Sequence, residues 1–166
     1  MLTNAELIEK YPFLVVEDPY GSDNLTSCWL DDLEPGWRAA FGERLCEDLV
    51  KSLKDDNCED EFKFEQIKEK FGSLRLYASG YGEHTKQVLA KYEELSKYIC
   101  GHCGKVARYV TSGWIYPLCE ECMLKVNSYR VPIEEFYGVE TYENVQKEID
   151  SIQTNFVYDK YWTTVK

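Results

Sequence analysis

Cys100-Gly101-His102-Cys103 and Cys119-Glu120-Glu121-Cys122 are two short stretches with the same pattern, separated by 15 residues. Two residues between cysteines allow one tight turn to present both sulfurs to the same ion. The distance between the two pairs is also that of a structural zinc site. Four thiolates fill a tetrahedral zinc ion and leave no position for water. The sequence therefore predicts one structural Zn2+ with Cys100, Cys103, Cys119 and Cys122 as its ligands.

The residues between the two pairs predict a treble-clef zinc finger. Gly104 follows the first pair, where the turn needs a positive φ angle. Val106 to Val110 has the pattern of a strand, Thr111 to Gly113 that of a turn, and Trp114 to Tyr116 that of a returning strand. A helix from Cys119 to Val126 would then carry the second pair. A knuckle, a hairpin and a helix in this order define the treble clef.

The alternatives to this site are two unrelated Cys-x-x-Cys pairs or a redox pair. A thioredoxin-like redox motif needs only one such pair, set in a βαβ unit. His102 lies inside the first pair and could replace a cysteine, but we expect it to be exposed. The remaining cysteines, Cys28, Cys46 and Cys58, are interpreted as free thiols.

The chain before the finger has the pattern of amphipathic helices and a β-hairpin. After Pro35-Gly36, apolar residues recur every fourth position and predict a helix, namely Trp37, Phe41, Leu45, Leu49 and Leu53. Phe62 to Tyr77 alternates as two strands would, with a turn at Phe71-Gly72-Ser73. A second helix, from Glu83 to Ile99, leads into the first cysteine pair. The predicted fold class is α+β, a small domain with a β-hairpin, amphipathic helices and a four-cysteine treble-clef zinc finger.

The sequence divides into three parts that we expect to fold as one cooperative unit. Residues 1–82 form an acidic N-terminal α+β part that includes the hairpin. Residues 83–131 contain the helix and the zinc finger, and residues 132–166 contain a C-terminal helix and an aromatic tail. Because the second helix joins the hairpin directly to the first cysteine pair, the parts are expected to fold together.

The charge of the chain is concentrated in its first third. The net charge is −11, and residues 1–61 contain 16 acidic and 5 basic residues, whereas residues 62–166 contain 14 of each. An acidic surface repels phosphates and suits a basic partner, although it can also serve only solubility. No apolar run approaches the roughly 20 residues that span a bilayer, and the N-terminus lacks a signal peptide. We therefore expect a cytoplasmic protein without membrane contact.

The hairpin carries the densest basic cluster of this acidic chain. Lys68, Lys70, Arg75 and Tyr77 are candidates for binding a protein partner or an anion, and Trp114 of the finger is a further candidate. The alternative is that the cations pair with the acidic surface of the protein itself. In that alternative Phe71, Leu74 and Leu76 belong to the core.

A distinctive segment, QIKEKFGSLRLY, runs from Gln66 to Tyr77. It is preceded by Gly36-Trp37 and followed by three parts of the finger, namely Ile99 to Gly104, Gly113 to Ile115 and Leu118-Cys119. Over about residues 36–122 this arrangement resembles a family of small, uncharacterised zinc-finger proteins of phages, prophages and bacteria. Their mark is a KEKFG-x-LR-x-Y segment ahead of a treble clef. The resemblance implies a compact α+β domain and a phage or mobile-element origin, but no particular reaction. Many relatives end the zinc site with Cys-x-x-His, whereas Cys122 completes four cysteines here.

Three functions are compatible with these features. The first is binding of a protein partner, as a regulator or inhibitor of a host or phage protein. The second is nucleic-acid binding by the finger, although basic residues around it are sparse. The third is sequestration of a nucleotide. Catalysis is the least favoured, because the chain has only two histidines and no nucleophile or phosphate-loop motif.

Overall fold

A computed structural model describes residues 2–17, 27–138 and 145–151. Helix α1, Asn4–Lys10, begins with a complete capping box, in which Thr3 and Glu6 each bond the backbone of the other. It ends at Lys10, before Pro12, and a 3-10 turn follows at Pro12–Leu14. A second 3-10 turn, Trp29–Asp32, precedes the main helical region.

The main helical region runs without a break through three segments. Helix α2, Pro35–Trp37, continues as a π-helical stretch, Arg38–Gly42, and then as helix α3, Glu43–Asp56. The predicted apolar stripe is confirmed, because each of its side chains is at most 2% exposed, namely Trp37, Phe41, Leu45, Leu49 and Leu53. The π-helical stretch was not predicted, because the apolar residues keep their four-residue spacing from Trp37 to Phe41 and so give no sign of a different helix type there.

Strands β1, Lys63–Lys70, and β2, Ser73–Ser79, form the predicted antiparallel hairpin. Lys70 pairs with Ser73, so the turn consists of Phe71 and Gly72 alone, with φ angles of 53° and 76°. Two positive φ angles are the signature of a type I′ turn, whose twist matches that of the strands. The alternative interpretation of the hairpin placed Phe71, Leu74 and Leu76 in the core. Leu74 and Leu76 are buried, but the assignment of Phe71 is wrong, because its side chain is 69% exposed.

Helix α4, Glu83–Ser96, packs against α3 and β2 and is shorter than predicted. The chain leaves the helix after Ser96 so that Ile99 can pair with Val106 in an isolated bridge. Side chains of α4 also bond the outer edge of β2. The Leu74 N–H donates to Ser96 Oγ at 2.8 Å, and the Leu76 N–H donates to Glu93 Oε1 at 2.8 Å.

The finger contains a three-stranded antiparallel sheet in the order β4-β3-β5. The three strands are β3 (Tyr109–Thr111), β4 (Pro117–Leu118) and β5 (Arg130–Pro132). Two short helices accompany them, α5 (Glu120–Met123) after β4 and α6 (Ile133–Tyr137) after β5. The prediction of a returning strand at Trp114–Tyr116 is wrong, because the strand begins only at Pro117. The second-pair helix ends at Met123, earlier than predicted. Strand β5 and helix α6 were not predicted.

One main core is formed by buried side chains of the N-terminal helices, the hairpin and α4, together with Ala107, Val110 and Ile133. A second, smaller apolar cluster surrounds the cysteines. The apolar residues Val145, Ile149 and Ile152 predict a C-terminal helix with Thr141 as its N-cap. Residues 145–151 are helical and Ile149 is buried, whereas Thr141, Ile152 and the aromatic tail lie outside the described residues. The α+β class is confirmed, whereas the division into three parts stays a prediction. None of the helices in the described ranges has the length and apolar character needed to cross a bilayer.

Candidate metal centre and basic face

Four cysteine sulfurs converge at the finger. The Sγ atoms of Cys100, Cys103, Cys119 and Cys122 all lie within 4.8 Å of one another, and those of Cys103 and Cys119 are 3.5 Å apart. A disulfide would need about 2.05 Å, whereas four thiolates at about 2.3 Å from one tetrahedral ion stand about 3.8 Å apart. The cluster could therefore hold a metal ion, and its geometry is consistent with one structural zinc.

Backbone turns position the two pairs. In the first knuckle the Cys100 N–H donates to the Lys105 carbonyl at 2.8 Å, and the Gly104 N–H donates to the Cys100 carbonyl at 2.9 Å. Gly104 has a φ angle of 78°, which confirms the predicted requirement for glycine. The second pair opens α5, with Cys119 immediately before its first residue. The knuckle, hairpin and short helix follow one another in the order of a treble clef.

The electrostatics of the cluster favour a bound cation. Hydrogen bonds with Cys100 and Cys119 raise the pKa of Cys103, while hydrogen bonds with Cys100 and Cys103 lower the pKa of Cys119. Burial is the main cause that raises the pKa of Cys122 to about 12. Sulfurs this close cannot all be thiolates without a compensating positive charge, and a divalent ion supplies it.

Residues of α2 lie directly against the first knuckle. The Gly36 N–H donates to the Gly101 carbonyl at 2.7 Å, and the buried Trp37 indole Nε1 donates to the Ile99 carbonyl at 2.9 Å. A methyl group on Gly36 would overlap the Cys100 carbonyl oxygen and would lie 2.6 Å from the Gly104 nitrogen. Only glycine permits this approach of two backbones. The cysteine cluster is thus part of the contact between the finger and the N-terminal helices.

Two further contacts tie the knuckle to its surroundings. The Tyr116 hydroxyl donates to a Glu34 carboxylate oxygen, and the Tyr116 ring lies where any side chain on Gly101 would have to stand. Burial, together with this hydrogen bond, raises the pKa of Tyr116. Lys105, beside the first pair, donates to both carboxylate oxygens of Glu121 inside the second pair, at 2.7 and 2.8 Å. The exposed His102 packs its ring on Tyr116 and is not one of the clustered ligands.

The hairpin brings its candidate residues together on one side. Register pairs Gln66 with Tyr77, Lys68 with Arg75 and Lys70 with Ser73, and residues paired in this way point to the same side of a sheet. The opposite side contains the buried Ile67, Leu74 and Leu76. We call Lys68, Lys70, Arg75 and Tyr77 the basic face.

No acid of the described ranges pairs with the three cations of the basic face. Within 4.0 Å, neither Lys68, Lys70 nor Arg75 meets a described carboxylate. Nine other lysines and arginines of these ranges do have such partners, whereas Arg44, Lys54 and Arg108 have none there; the paired cations are Lys10, Arg38, Lys51, Lys63, Lys86, Lys91, Lys97, Lys105 and Arg130. The alternative in which the basic face is neutralised by the acidic surface of the protein therefore has no support among these residues.

Neutral groups hold the cations of the basic face in place. The Arg75 guanidinium donates to Ser73 Oγ at 2.6 Å and to the Leu74 carbonyl at 2.9 Å. The Lys68 ammonium donates to Gln66 Oε1 at 2.7 Å and stands 4.9 Å from the centre of the Tyr77 ring. These contacts orient the cations but leave their positive charge uncompensated.

Trp114, the candidate on the finger, is not part of the basic face. It lies in the bend between β3 and β4 and is 75% exposed. The next residue, Ile115, is the point at which the finger meets the hairpin turn at Gly72. The sequence did not predict the close approach of Gly36 to the knuckle or the hydrogen bond of Tyr116 to Glu34, although Gly36-Trp37 is among the residues that carry the resemblance.

Comparison of the chain with protein-family models, with curated proteins and with solved structures finds no match. The site is therefore characterised by its own geometry. The chain is a small α+β protein with a four-cysteine centre that could bind one metal ion and with three cations on one side of its hairpin.

Proposed function

We propose that this chain is a zinc-stabilised binding protein that docks onto an acidic surface of a partner protein through the basic face. The observation that carries the proposal is the set of uncompensated cations on one side of the hairpin. Complementary charge on a partner would compensate them at short range and would fix the orientation of the two proteins in the complex. Arg75 in particular offers a planar donor group that suits a carboxylate.

In this proposal the metal has a structural role. Four thiolate ligands favour zinc over hard cations such as Mg2+, and they leave no coordination position for a substrate or water. Its binding would hold the finger against α2 and, through Ile115, against the hairpin turn. The chemistry supplied by zinc is then limited to fixing the scaffold that presents the basic face.

The resemblance to small phage and prophage zinc-finger proteins extends the proposal. A phage or mobile-element origin would place the partner among host or phage proteins, with the chain acting as a regulator or inhibitor. The acidic first third of the chain would then remain available for solubility or for a second contact.

Affinity capture with the tagged, zinc-loaded chain from a bacterial lysate tests the proposal. We expect one dominant protein, identified by mass spectrometry, whose recovery falls as salt is raised, because salt screens exposed charges. The variant Lys68→Ser/Lys70→Ser should lose that protein. The matched control Lys51→Ser/Lys54→Ser removes the same two charges from the exposed side of α3 and should retain it. Equal recovery with both variants would contradict the basic face.

Nucleic-acid binding is the second candidate, and a different observation favours it. Phe71, Trp114 and Tyr129 are 69%, 75% and 87% exposed. Exposed aromatic rings are one element of a surface that binds single strands by stacking bases, and the Lys70 ammonium stands 5.4 Å from the centre of the Phe71 ring. A gel-shift series with single-stranded DNA and RNA at low salt tests it. Binding there, with nucleic acid and no dominant protein in the lysate eluate, would replace the first proposal.

A further inference from the structure

The hairpin turn holds a bulky apolar residue in an unfavourable conformation. Phe71 has a φ angle of 53°, in the left-handed region that Gly, Asn and Asp adopt most readily. Its side chain is 69% exposed, so little burial compensates for the strain. Asparagine would suit the first position of a type I′ turn better. Stability of the fold therefore does not explain a phenylalanine here, and strain of this kind is typical of functional positions.

The turn is also fixed in position. The Gly72 N–H donates to Glu69 Oε1 at 2.7 Å. A methyl group on Gly72 would come within 2.8 Å of Ile115 Cγ2 and 3.1 Å of the Ile115 carbonyl oxygen. The backbone that carries Phe71 is thus pressed against the finger, which limits the entropy that Phe71 would lose on binding.

A second exposed ring lies beside this contact. Trp114 directly precedes Ile115 in the chain, and the Thr111 hydroxyl donates to the Trp114 carbonyl. Phe71 and Trp114 are therefore the chain neighbours of the two residues that meet, Gly72 on the hairpin and Ile115 on the finger. We call these two residues the aromatic tip. Large aromatic side chains of this kind dominate the energetics of protein interfaces.

The charge next to the aromatic tip indicates the kind of partner. The Lys70 ammonium stands 5.4 Å from the centre of the Phe71 ring, and the basic face continues from it along the hairpin. This chain thus presents exposed aromatic residues bordered by cations that have no described acidic partner. Such a surface complements a partner that presents an apolar side chain bordered by carboxylates.

We propose that the aromatic tip is the anchor of the interface, and that its partner is an acidic segment of another protein that packs an apolar side chain against Phe71 and Trp114. Carboxylates of the same segment pair with Lys68, Lys70 and Arg75. This inference rests on the proposed function and adds to it the residues that hold the partner and the pattern that they recognise.

The substitution Phe71→Asn separates binding from folding. Asparagine relieves the strain of the left-handed turn, so the variant should melt at the same temperature as the parent chain or higher. Leu124→Asn is the matched control, because Leu124 is 72% exposed but lies just after α5. The full, zinc-loaded chain is used to select from a display library of random dodecapeptides, and the consensus peptide is then synthesised for titration.

We expect selected peptides to combine one large apolar residue with two or more Asp or Glu. The consensus peptide should bind Phe71→Asn at least tenfold more weakly than the parent chain and should bind Leu124→Asn equally well. Equal binding by Phe71→Asn would overturn the anchor. If only Lys68→Ser/Lys70→Ser weakens binding, the basic face binds the partner and the aromatic tip is not its anchor. If neither Phe71→Asn nor Lys68→Ser/Lys70→Ser weakens binding, both proposals fail.

Three other results would also overturn the anchor. A library that yields no acidic-apolar consensus removes the recognised pattern, and the lysate capture then decides the proposed function alone. A parent chain that sediments as a dimer, with Phe71→Asn as a monomer, would assign the aromatic tip to a second copy. Binding of a fluorescent oligothymidylate that is lost in Phe71→Asn would assign it to nucleic-acid bases.

Discussion

The indole nitrogen of Trp37 donates a 2.9 Å hydrogen bond to the carbonyl oxygen of Ile99, the residue that precedes the first cysteine of the metal centre. Trp37 is completely buried, and the bond joins positions 62 residues apart in the chain. The main core and the metal centre are therefore in direct contact. This relationship leads us to expect that stability and metal binding depend on each other.

Replacing Trp37 by phenylalanine should destabilise the whole protein. The change removes a buried donor from the Ile99 carbonyl and leaves a cavity, at a cost of about 2–4 kcal/mol in the free energy of unfolding. Chemical denaturation of the zinc-loaded chain measures it. Trp114→Phe, at a 75% exposed position, is the control and should change the free energy by less than about 0.5 kcal/mol. Equal losses in the two variants would show that the buried Trp37 and its hydrogen bond contribute no more to stability than an exposed tryptophan does.

Two glycines of the main helical region should respond to alanine with opposite signs. Gly36→Ala would place a methyl group against the Cys100 carbonyl and the Gly104 nitrogen, backbone atoms that cannot move aside. We expect a loss of at least about 2 kcal/mol in stability. Gly42→Ala has no neighbour closer than 3.5 Å and a helical backbone, so it should stabilise by up to about 1 kcal/mol.

Thermal melting of both glycine variants, with zinc content determined for each, tests this pair. Gly36→Ala should also bind zinc more weakly, because the knuckle backbone must shift to admit the methyl group. A Gly36→Ala protein that melts and binds zinc like the parent chain would show that α2 does not press on the knuckle.

Local patterns allowed much of this fold to be predicted from the sequence. The four-residue apolar period predicted α3, and cysteine spacing predicted the cluster, because each depends on residues close together in the chain. Strand β5 is three residues long and is defined by its pairing with β3, so no local pattern predicts it. The contact of Gly36 with the knuckle joins residues that are far apart in the chain, so no local pattern predicts it either.

The wrong assignment of Phe71 has a different cause. An apolar residue between two alternating strands reads as core when the turn is taken as three residues. The two-residue turn puts it at the outermost point of the hairpin instead. The pair Phe71-Gly72 contained a usable signal, since glycine at the second position is typical of type I′ turns. The strain at Phe71 itself could be recognised only from its φ angle.

Cys103→Ser should remove the metal and loosen more than the finger. Loss of one of four ligands forfeits much of a binding free energy on the order of 10 kcal/mol. Hydrogen exchange should accelerate across Cys100 to Val126 and also in α2, because Gly36 and Trp37 rest on the knuckle. Zinc released on thiol modification measures the metal. Cys58→Ser, a half-buried cysteine outside the cluster, should keep full zinc and normal exchange; full zinc in Cys103→Ser would disprove the site.

The last prediction concerns Asp56, the final residue of α3, whose carboxylate caps the N-terminus of α4. It accepts hydrogen bonds from the backbone N–H groups of Gly82, His84 and Thr85, at 3.2, 3.1 and 2.8 Å, and its side chain is only 4% exposed. Burial alone would raise the pKa of Asp56, but the hydrogen bonds from Thr85 and His84 hold it well below its usual range. The His84 ring nitrogen Nδ1 lies 2.8 Å from the same carboxylate, which raises the pKa of His84.

The two shifts act at different ends of the pH scale. Since the pKa of Asp56 is depressed on folding, its stabilisation is complete above the ordinary aspartate value of about 4 and is lost as pH falls below it. Since the pKa of His84 is raised, its contribution is complete below about 6.5 and is lost as pH rises past the folded value. The stabilisation from this pair should therefore be greatest between these limits.

Asp56→Asn tests this assignment, because an amide has one acceptor oxygen for the donors that two carboxylate oxygens now bind. The variant should unfold at lower temperature than the parent chain at pH 5 to 7, and the difference should shrink as pH falls below about 4. Asp55→Asn, at the exposed neighbouring position, is the control and should unfold close to the parent chain, with only the small difference that comes from the charge of Asp55 on His84. A difference between Asp56→Asn and the parent chain that stays constant down to low pH would show that the Asp56 carboxylate is not the group that titrates.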